Sequence, residues 1–118
     1  MHDRRFARTE MLVGREGVAR LAATSVVVFG IGGVGSYATE ALARAGIGRL
    51  TLVDHDVIDA TNINRQIHAL TETVGAYKTE TMVQRIRSIN PACEVHEIRA
   101  FYQPEEAECF FSDHYDYA

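Results

Sequence analysis

Four glycines fall within six positions in the run Gly30-Ile31-Gly32-Gly33-Val34-Gly35-Ser36. Residues without a Cβ let a chain turn tightly, and free N–H groups at the start of a following helix point at a bound anion. A phosphate there gains from the helix dipole and from several donors at once. Asp54 closes the apolar run Leu50 to Val53, and a carboxylate at a strand tip can accept hydrogen bonds from ribose hydroxyls. Together these residues describe a nucleotide site. The plainer alternative is glycines that serve only close helix–sheet packing.

Up to this point NAD and ATP are served equally well. The stretch Asp54-His55-Asp56, then Thr61-Asn62-Ile63-Asn64-Arg65-Gln66, then Lys78, separates them. A dinucleotide keeps its phosphates at the glycine turn. A triphosphate that must lose pyrophosphate needs positive charge on the departing group. Arg65 offers a planar fork to phosphate and Lys78 a point charge. The P-loop form GxxxxGK(S/T) is absent, so that class of kinase and GTPase is not supported. Read as ordinary surface cations, Arg65 and Lys78 leave an NAD-binding oxidoreductase domain as the alternative.

The elements that must position these groups follow from hydrophobic spacing. Residues 10–22 read as a helix broken by Gly14 and Gly17. Residues 25–29 are a continuous β-branched and aromatic run, as in a strand covered on both faces. Val34, Ala38, Ala41, Leu42 and Ala45 recur at helical spacing, so 34–45 is a helix. Gly46 or Gly48 ends it, one of them in a left-handed cap. A second strand covers 50–53. Residues 55–75 are polar and turn-rich, with at most a helical turn over 62–67, and such long irregular connections are more often functional than decorative.

Met82, Val83, Ile86 and Ile89 define a helix over 76–88, and 95–98 is a short alternating strand. Residues 104–111 read as a further helix with Pro104 in its first turn. The order implies an α/β, Rossmann-like, doubly wound and mainly parallel sheet, truncated after about three strands. Residues 114–118 read as the run-in to a fourth strand. The expected division is an N-terminal helical arm (1–24) and a nucleotide-binding domain (25–118) incomplete at its C-terminus. A small complete module that dimerises along its open sheet edge is the other reading.

Composition narrows the classes. At 118 residues with 47% apolar and 24% charged residues the chain is a globular domain. No apolar run is long enough to span a bilayer, so cytoplasm is the default and no membrane partner is expected. A net charge of −4 gives no chain-wide basic field for nucleic acid. Yet eleven of the twelve basic residues are arginine, and Arg4, Arg5, Arg8, Arg15 and Arg20 crowd the first twenty positions. Cys93 and Cys109 lack metal-ligand spacing and read as idle thiols.

From Arg5-Phe6-Ala7-Arg8 through Asn90-Pro91, the chain resembles the adenylating enzymes related to ubiquitin-activating enzymes, the ThiF/MoeB/HesA superfamily. GIGGVGS, LVDHDVI, TNINRQ and the VGxxK ending in Lys78 occur in the right order and spacing. Within it, GVGSYATEALARAGIGRLTLVDHD and NRQIHAL look most like the tRNA threonylcarbamoyladenosine dehydratase branch, with the sulfur-carrier activators next.

The resemblance implies that Gly30, Gly32, Gly33 and Gly35 line the nucleotide and its α-phosphate. It implies Asp54 on the ribose, Asp56 shaping the site or its metal environment, and Asn62, Arg65, Gln66 and Lys78 on the triphosphate. Arg8 matches an arginine that reaches across a homodimer into the partner's site. The implied reaction spends ATP, with Mg²⁺, to adenylate a carboxylate. In the dehydratase branch this is the threonyl carboxylate on modified adenosine 37 of tRNA, which then cyclises and expels AMP. In the nearest alternative it is the C-terminal glycine of a small sulfur-carrier protein. The family's Mg²⁺-binding aspartate would follow Ala118, so this segment is expected to hold the nucleotide pocket in part and not to complete the reaction alone. His55, His68, Cys93 and Cys109 are expected to be structural.

Overall fold

The computed structural model describes residues 4–101 and 114–118. A 3-10 turn at Arg4–Phe6 enters α1 (Ala7–Ala22), followed by β1 (Ser25–Phe29), α2 (Gly33–Ala45), β2 (Arg49–Val53), α3 (Lys78–Ile89) and β3 (Glu94–Ile98). The three strands lie side by side in chain order and all run parallel. Ser25 stands opposite Arg49, Phe29 opposite Val53, and Val53 opposite Ile98.

On its other edge, β1 meets the chain's last residues. Tyr117 pairs in parallel with Val26, its carbonyl accepts from Val27 N at 3.0 Å, and Asp116 N donates to Ser25 O at 2.8 Å. The order across the sheet therefore reverses at β1. In open α/β sheets, ligands bind beyond the strands' carboxyl ends at such a reversal. Here that end of β1 is Gly30.

The alternating side chains of the strands divide into two layers. Val26, Leu50 and Leu52 face α2 and α3 and are buried with Ala43, Met82 and Ile86. Val27 and Val53 face the opposite way, with Phe29, Ile98, Ala100 and Tyr115 beside them. Met82 and Ile86 are fully enclosed, and burying side chains of that size stabilises by about 1.5–3 kcal/mol each. This packing fixes the strand ends from which the site is built.

Four differences from the sequence reading have local causes. First, α1 starts at Ala7 and bends once, at Gly14 (φ 76°, ψ 172°). Gly17 stays helical, because a Cβ there would meet Val13 Cβ at 2.7 Å and glycine removes that clash. Second, α3 begins at Lys78, because residues 76 and 77 are held in pairing with 57 and 58. Third, the turn expected at 62–67, in which the Asn62 carbonyl accepts from Arg65 N and Gln66 N, is preceded by a 3-10 turn at Ala60–Asn62, where Asp59 and Asn62 cap each other. Fourth, α2 gains one residue at its start and ends as expected, with Gly46 left-handed (φ 97°). The helix expected at 104–111, and Cys109 with it, lies outside the described residues.

Candidate functional site

β1 delivers the chain into the glycine turn. Gly30 has φ 89°, which only glycine adopts without strain, and its N–H donates to Val53 O at 2.8 Å. Gly35, one turn into α2, lies against the Gly30 carbonyl, and a Cβ there would overlap that oxygen. The helix thus starts directly off the strand. The start of α2 therefore lies at the carboxyl end of β1, where the unpaired N–H groups of a helix N-terminus suit an anion.

β2 delivers Asp54 to the same edge. Its Oδ2 accepts from Ile31 N at 2.7 Å and its Oδ1 from Asp56 N at 2.8 Å. The carboxylate therefore ties the glycine turn to the start of the long loop, with lone pairs left on both oxygens. Asp56 comes within 3.8 Å of Lys78 Nζ and 3.1 Å of His55 Nε2. Lys78 is only 7% exposed although it carries a charge. A lysine so placed is normally paired, and Asp56 is the carboxylate beside it.

The connection between β2 and α3 is an organised loop closed at its base. Ile58 N donates to Ala76 O and Gly75 N to Ile58 O, both at 2.8 Å, while Val57 and Tyr77 form an antiparallel bridge. Inside it, Asn62 Oδ1 accepts from Asp59 N, and the Asp59 carboxylate accepts from Thr61 N and Oγ1. The Thr61 bonds hold the Asp59 carboxyl below its usual range. The Asn62 carbonyl receives both Arg65 N and Gln66 N.

This turn lays Arg65 and Gln66 against the glycines. Gln66 Nε2 is 3.9 Å from where a Gly32 Cβ would stand, and Arg65 Cγ is 4.0 Å from the same point on Gly33. Gln66 is 6% exposed, and its Oε1 has no hydrogen-bond partner among the described residues. The amide nitrogen, which donates, is the end of Gln66 nearest the Gly32 position and is the end suited to an anion. The Arg65 guanidinium is exposed, steadied by Thr61 O and Asn64 Oδ1.

Next to the glycine turn, beyond the ends of β1 and β2, a cavity of about 290 Å³ is lined by Phe29, Gly30, Val53, Asp54, His55, Asp56, Ala100 and Phe101. It offers an apolar wall and a carboxylate rim. His55 meets Phe101 edge-on at 5.2 Å between ring centroids. The sequence reading missed Ala100 and Phe101 as lining residues; the available signal was an aromatic three positions after a strand's carboxyl end. Asp54, His55 and Asp56 also bring one ligand atom each within 4.8 Å of one another. Asp56, beside His55 and Lys78, is exposed where Asp54 is half-buried, which makes it the more accessible oxygen donor for a hard cation.

Arg8 stands apart from this cluster. It is exposed on α1, with Nη1 3.8 Å from Met11 Sδ. Nearby Phe6 packs on Gly46, just before β2. The glycine turn lies past the opposite end of the parallel strand β1, about 17 Å away for five residues.

The model of the ThiF family matches residues 6–117. The tRNA threonylcarbamoyladenosine dehydratase of Bacillus subtilis is 52% identical over 112 residues, covering 95% of this chain and 44% of the relative. That of Escherichia coli is 48% identical over 113 residues, covering 96% and 42%. The chain therefore spans less than half the length of these relatives. A crystal structure of the Escherichia coli enzyme in complex with ATP superposes with a TM-score of 0.92 at 48% identity, over 94% of this chain and 46% of that one. An adenylyltransferase and sulfurtransferase of Pyricularia oryzae is 36% identical over 110 residues, covering 92% of this chain and 22% of the relative. By sequence, by fold and by the order of its motifs, this chain belongs to the ThiF family.

Proposed function

We propose that the chain forms the nucleotide-binding part of an enzyme that adenylates a carboxylate with ATP. The carboxylate is the threonyl group of N6-threonylcarbamoyladenosine in tRNA. The observation that carries this reading is the packing of Arg65 and Gln66 on Gly32 and Gly33, with Lys78 buried at the same sheet edge. An anion-binding turn flanked by cations suits a triphosphate that must release pyrophosphate.

In this reading the α-phosphate sits over the N–H groups of the turn formed by Gly30, Gly32, Gly33 and Gly35. Asp54 accepts from the ribose, and the base enters the cavity beside Phe29, Val53 and Phe101. Gln66 and Asn62 orient the phosphates. Arg65 and Lys78 neutralise the departing pyrophosphate. Asp56 is the oxygen donor of this chain that would meet Mg²⁺, which would supply further charge neutralisation.

The substrate carboxylate oxygen attacks the α-phosphorus, the bond to pyrophosphate breaks, and an acyl-adenylate forms. The ureido oxygen then attacks the acyl carbon, AMP leaves, and a ring closes with net loss of water. Positioning supplies much of the rate.

Arg8 acts from the partner subunit of a homodimer. Its place on α1, near the amino ends of the strands and away from its own glycine turn, supports this. So do Met11 and Leu12, apolar yet 75% and 89% exposed on the same helix, a surface of the kind that subunits cover. Residues 1–24 then form the arm that crosses between subunits and 25–118 the nucleotide-binding unit. A tRNA substrate suits a cytoplasmic enzyme; among the described residues no helix is long and apolar enough to cross a membrane.

The test uses the natural full-length protein with ATP and tRNA bearing threonylcarbamoyladenosine. AMP release that depends on this tRNA, with loss of one water from the nucleoside, is expected. AMP release stimulated only by a carrier protein ending in Gly-Gly would reassign the substrate, a reading favoured by the Pyricularia oryzae relative.

A further inference from the structure

His68 lies 37 positions from the glycine turn in sequence and against it in space. It is 1% exposed, and its Nε2 lies 2.8 Å from the Ile31 carbonyl oxygen. Ile31 is itself held on both sides, since its N–H donates to Asp54 Oδ2 at 2.7 Å. The segment around His68 is anchored by Ile67 N donating to Ser36 Oγ at 3.3 Å and by Thr73 Oγ1 donating to the His68 carbonyl at 2.7 Å.

The chemistry of the ring follows from its partners. A carbonyl oxygen only accepts, so the ring proton is on Nε2. Nδ1 is buried and has no hydrogen-bond partner among the described residues. Burial, with the nearby Lys78 charge, lowers the readiness of the ring to take a second proton, opposed by the Ile31 bond and by Asp54. His68 is thus a neutral donor of fixed tautomer.

The consequence reaches the ligand through one peptide plane. Among the described residues no peptide bond is cis. In a planar trans unit the carbonyl and the following N–H point in opposite directions. Turning the Ile31 carbonyl inward to His68 therefore turns the Gly32 N–H outward, and among the described residues no group accepts from it. We propose that His68 is a positioning residue for nucleotide binding, holding the Ile31–Gly32 peptide so that the Gly32 N–H is presented to phosphate. This rests on the nucleotide reading above, and adds to it a residue that touches neither substrate nor nucleotide.

Calorimetric titration of the natural full-length protein with ATP and with adenosine, in wild type, H68L and H68Q, tests it. Leucine fills similar space without a donor, whereas glutamine can bring an amide N–H to the Ile31 carbonyl. ATP affinity is expected to fall by about tenfold or more in H68L and to be largely restored in H68Q. Adenosine, which has no phosphate, should bind both variants like wild type.

Equal ATP affinity in H68L and wild type overturns the assignment, as does an equal loss for ATP and adenosine. Should H68L fail to fold, H68Q is compared with H68N, whose shorter amide cannot reach Ile31. Equal ATP affinity in those two also overturns it. A wild type that binds no ATP removes the nucleotide reading and the assignment with it.

Discussion

Lys78 and Asp56 are joined twice, once through Nζ and Oδ2 at 3.8 Å and once through Lys78 N donating to the Asp56 carbonyl at 3.1 Å. The backbone bond seats the first turn of α3, so the fold does not depend on the side-chain charge alone. Lys78→Met keeps the aliphatic stem and removes the cation. In the full-length enzyme, ATP–pyrophosphate exchange should fall by roughly a hundredfold or more, with the melting temperature little changed. An exchange rate near wild type would take Lys78 out of the reaction.

Gly35→Ala should act on fold and ligand together. Its Cβ would overlap the Gly30 carbonyl oxygen, and neither strand nor helix can move away without opening the turn. A loss of about 1–3 kcal/mol is expected, read by denaturant unfolding, together with loss of ATP binding. Wild-type stability would show that the strand–helix junction is looser than the geometry implies.

Acid should weaken the fold through His68. Its folded-state pKa lies below the ordinary value of 6.5, chiefly because of burial. The unfolded chain therefore takes up the proton first as pH falls. This contribution to stability is complete above pH 6.5 and declines as pH drops from there towards the lower folded-state value. Unfolding free energies at several pH values should show a steeper acid decline in wild type than in H68Q. Parallel curves would mean that His68 does not titrate across folding.

Cys93 should be inert in the native protein. It is 7% exposed, and burial raises its thiol to about 11. At pH 8 only roughly one molecule in a thousand carries the thiolate. In a Cys109→Ser background, iodoacetamide should label Cys93 after denaturation and not before, as followed by mass spectrometry. Rapid native labelling would contradict the packing around β2 and α3.

Arg8 can be tested by complementation. If it serves the partner's site, Arg8→Ala and Lys78→Met homodimers are both weak, yet a mixed dimer has one site with both residues intact. Co-expression should recover part of the activity. No recovery, with mixed dimers confirmed by mass, would remove Arg8 from the partner's site.

Much of this architecture is decided by neighbours along the chain. The β-branched run of β1, the helical spacing of α2 and the left-handed Gly46 are short-range requirements, so their positions were legible without coordinates. The glycine turn was legible for the same reason, since tight turning and free N–H groups depend on adjacent residues. Arg65 and Lys78 could be nominated by residue type alone.

Other features depend on contacts between distant segments. That Arg65 and Gln66 rest on the turn, that Ala100 and Phe101 complete the cavity wall, and that a buried histidine faces Ile31 all require the chain to return to one sheet edge. The onset of α3 at Lys78 is set by a bridge between residues 57 and 77, which no local periodicity encodes. Sequence determined the elements and the chemistry they could supply. Tertiary structure decided which groups meet, because hydrogen bonds between segments are set by strand order and packing and not by spacing along the chain.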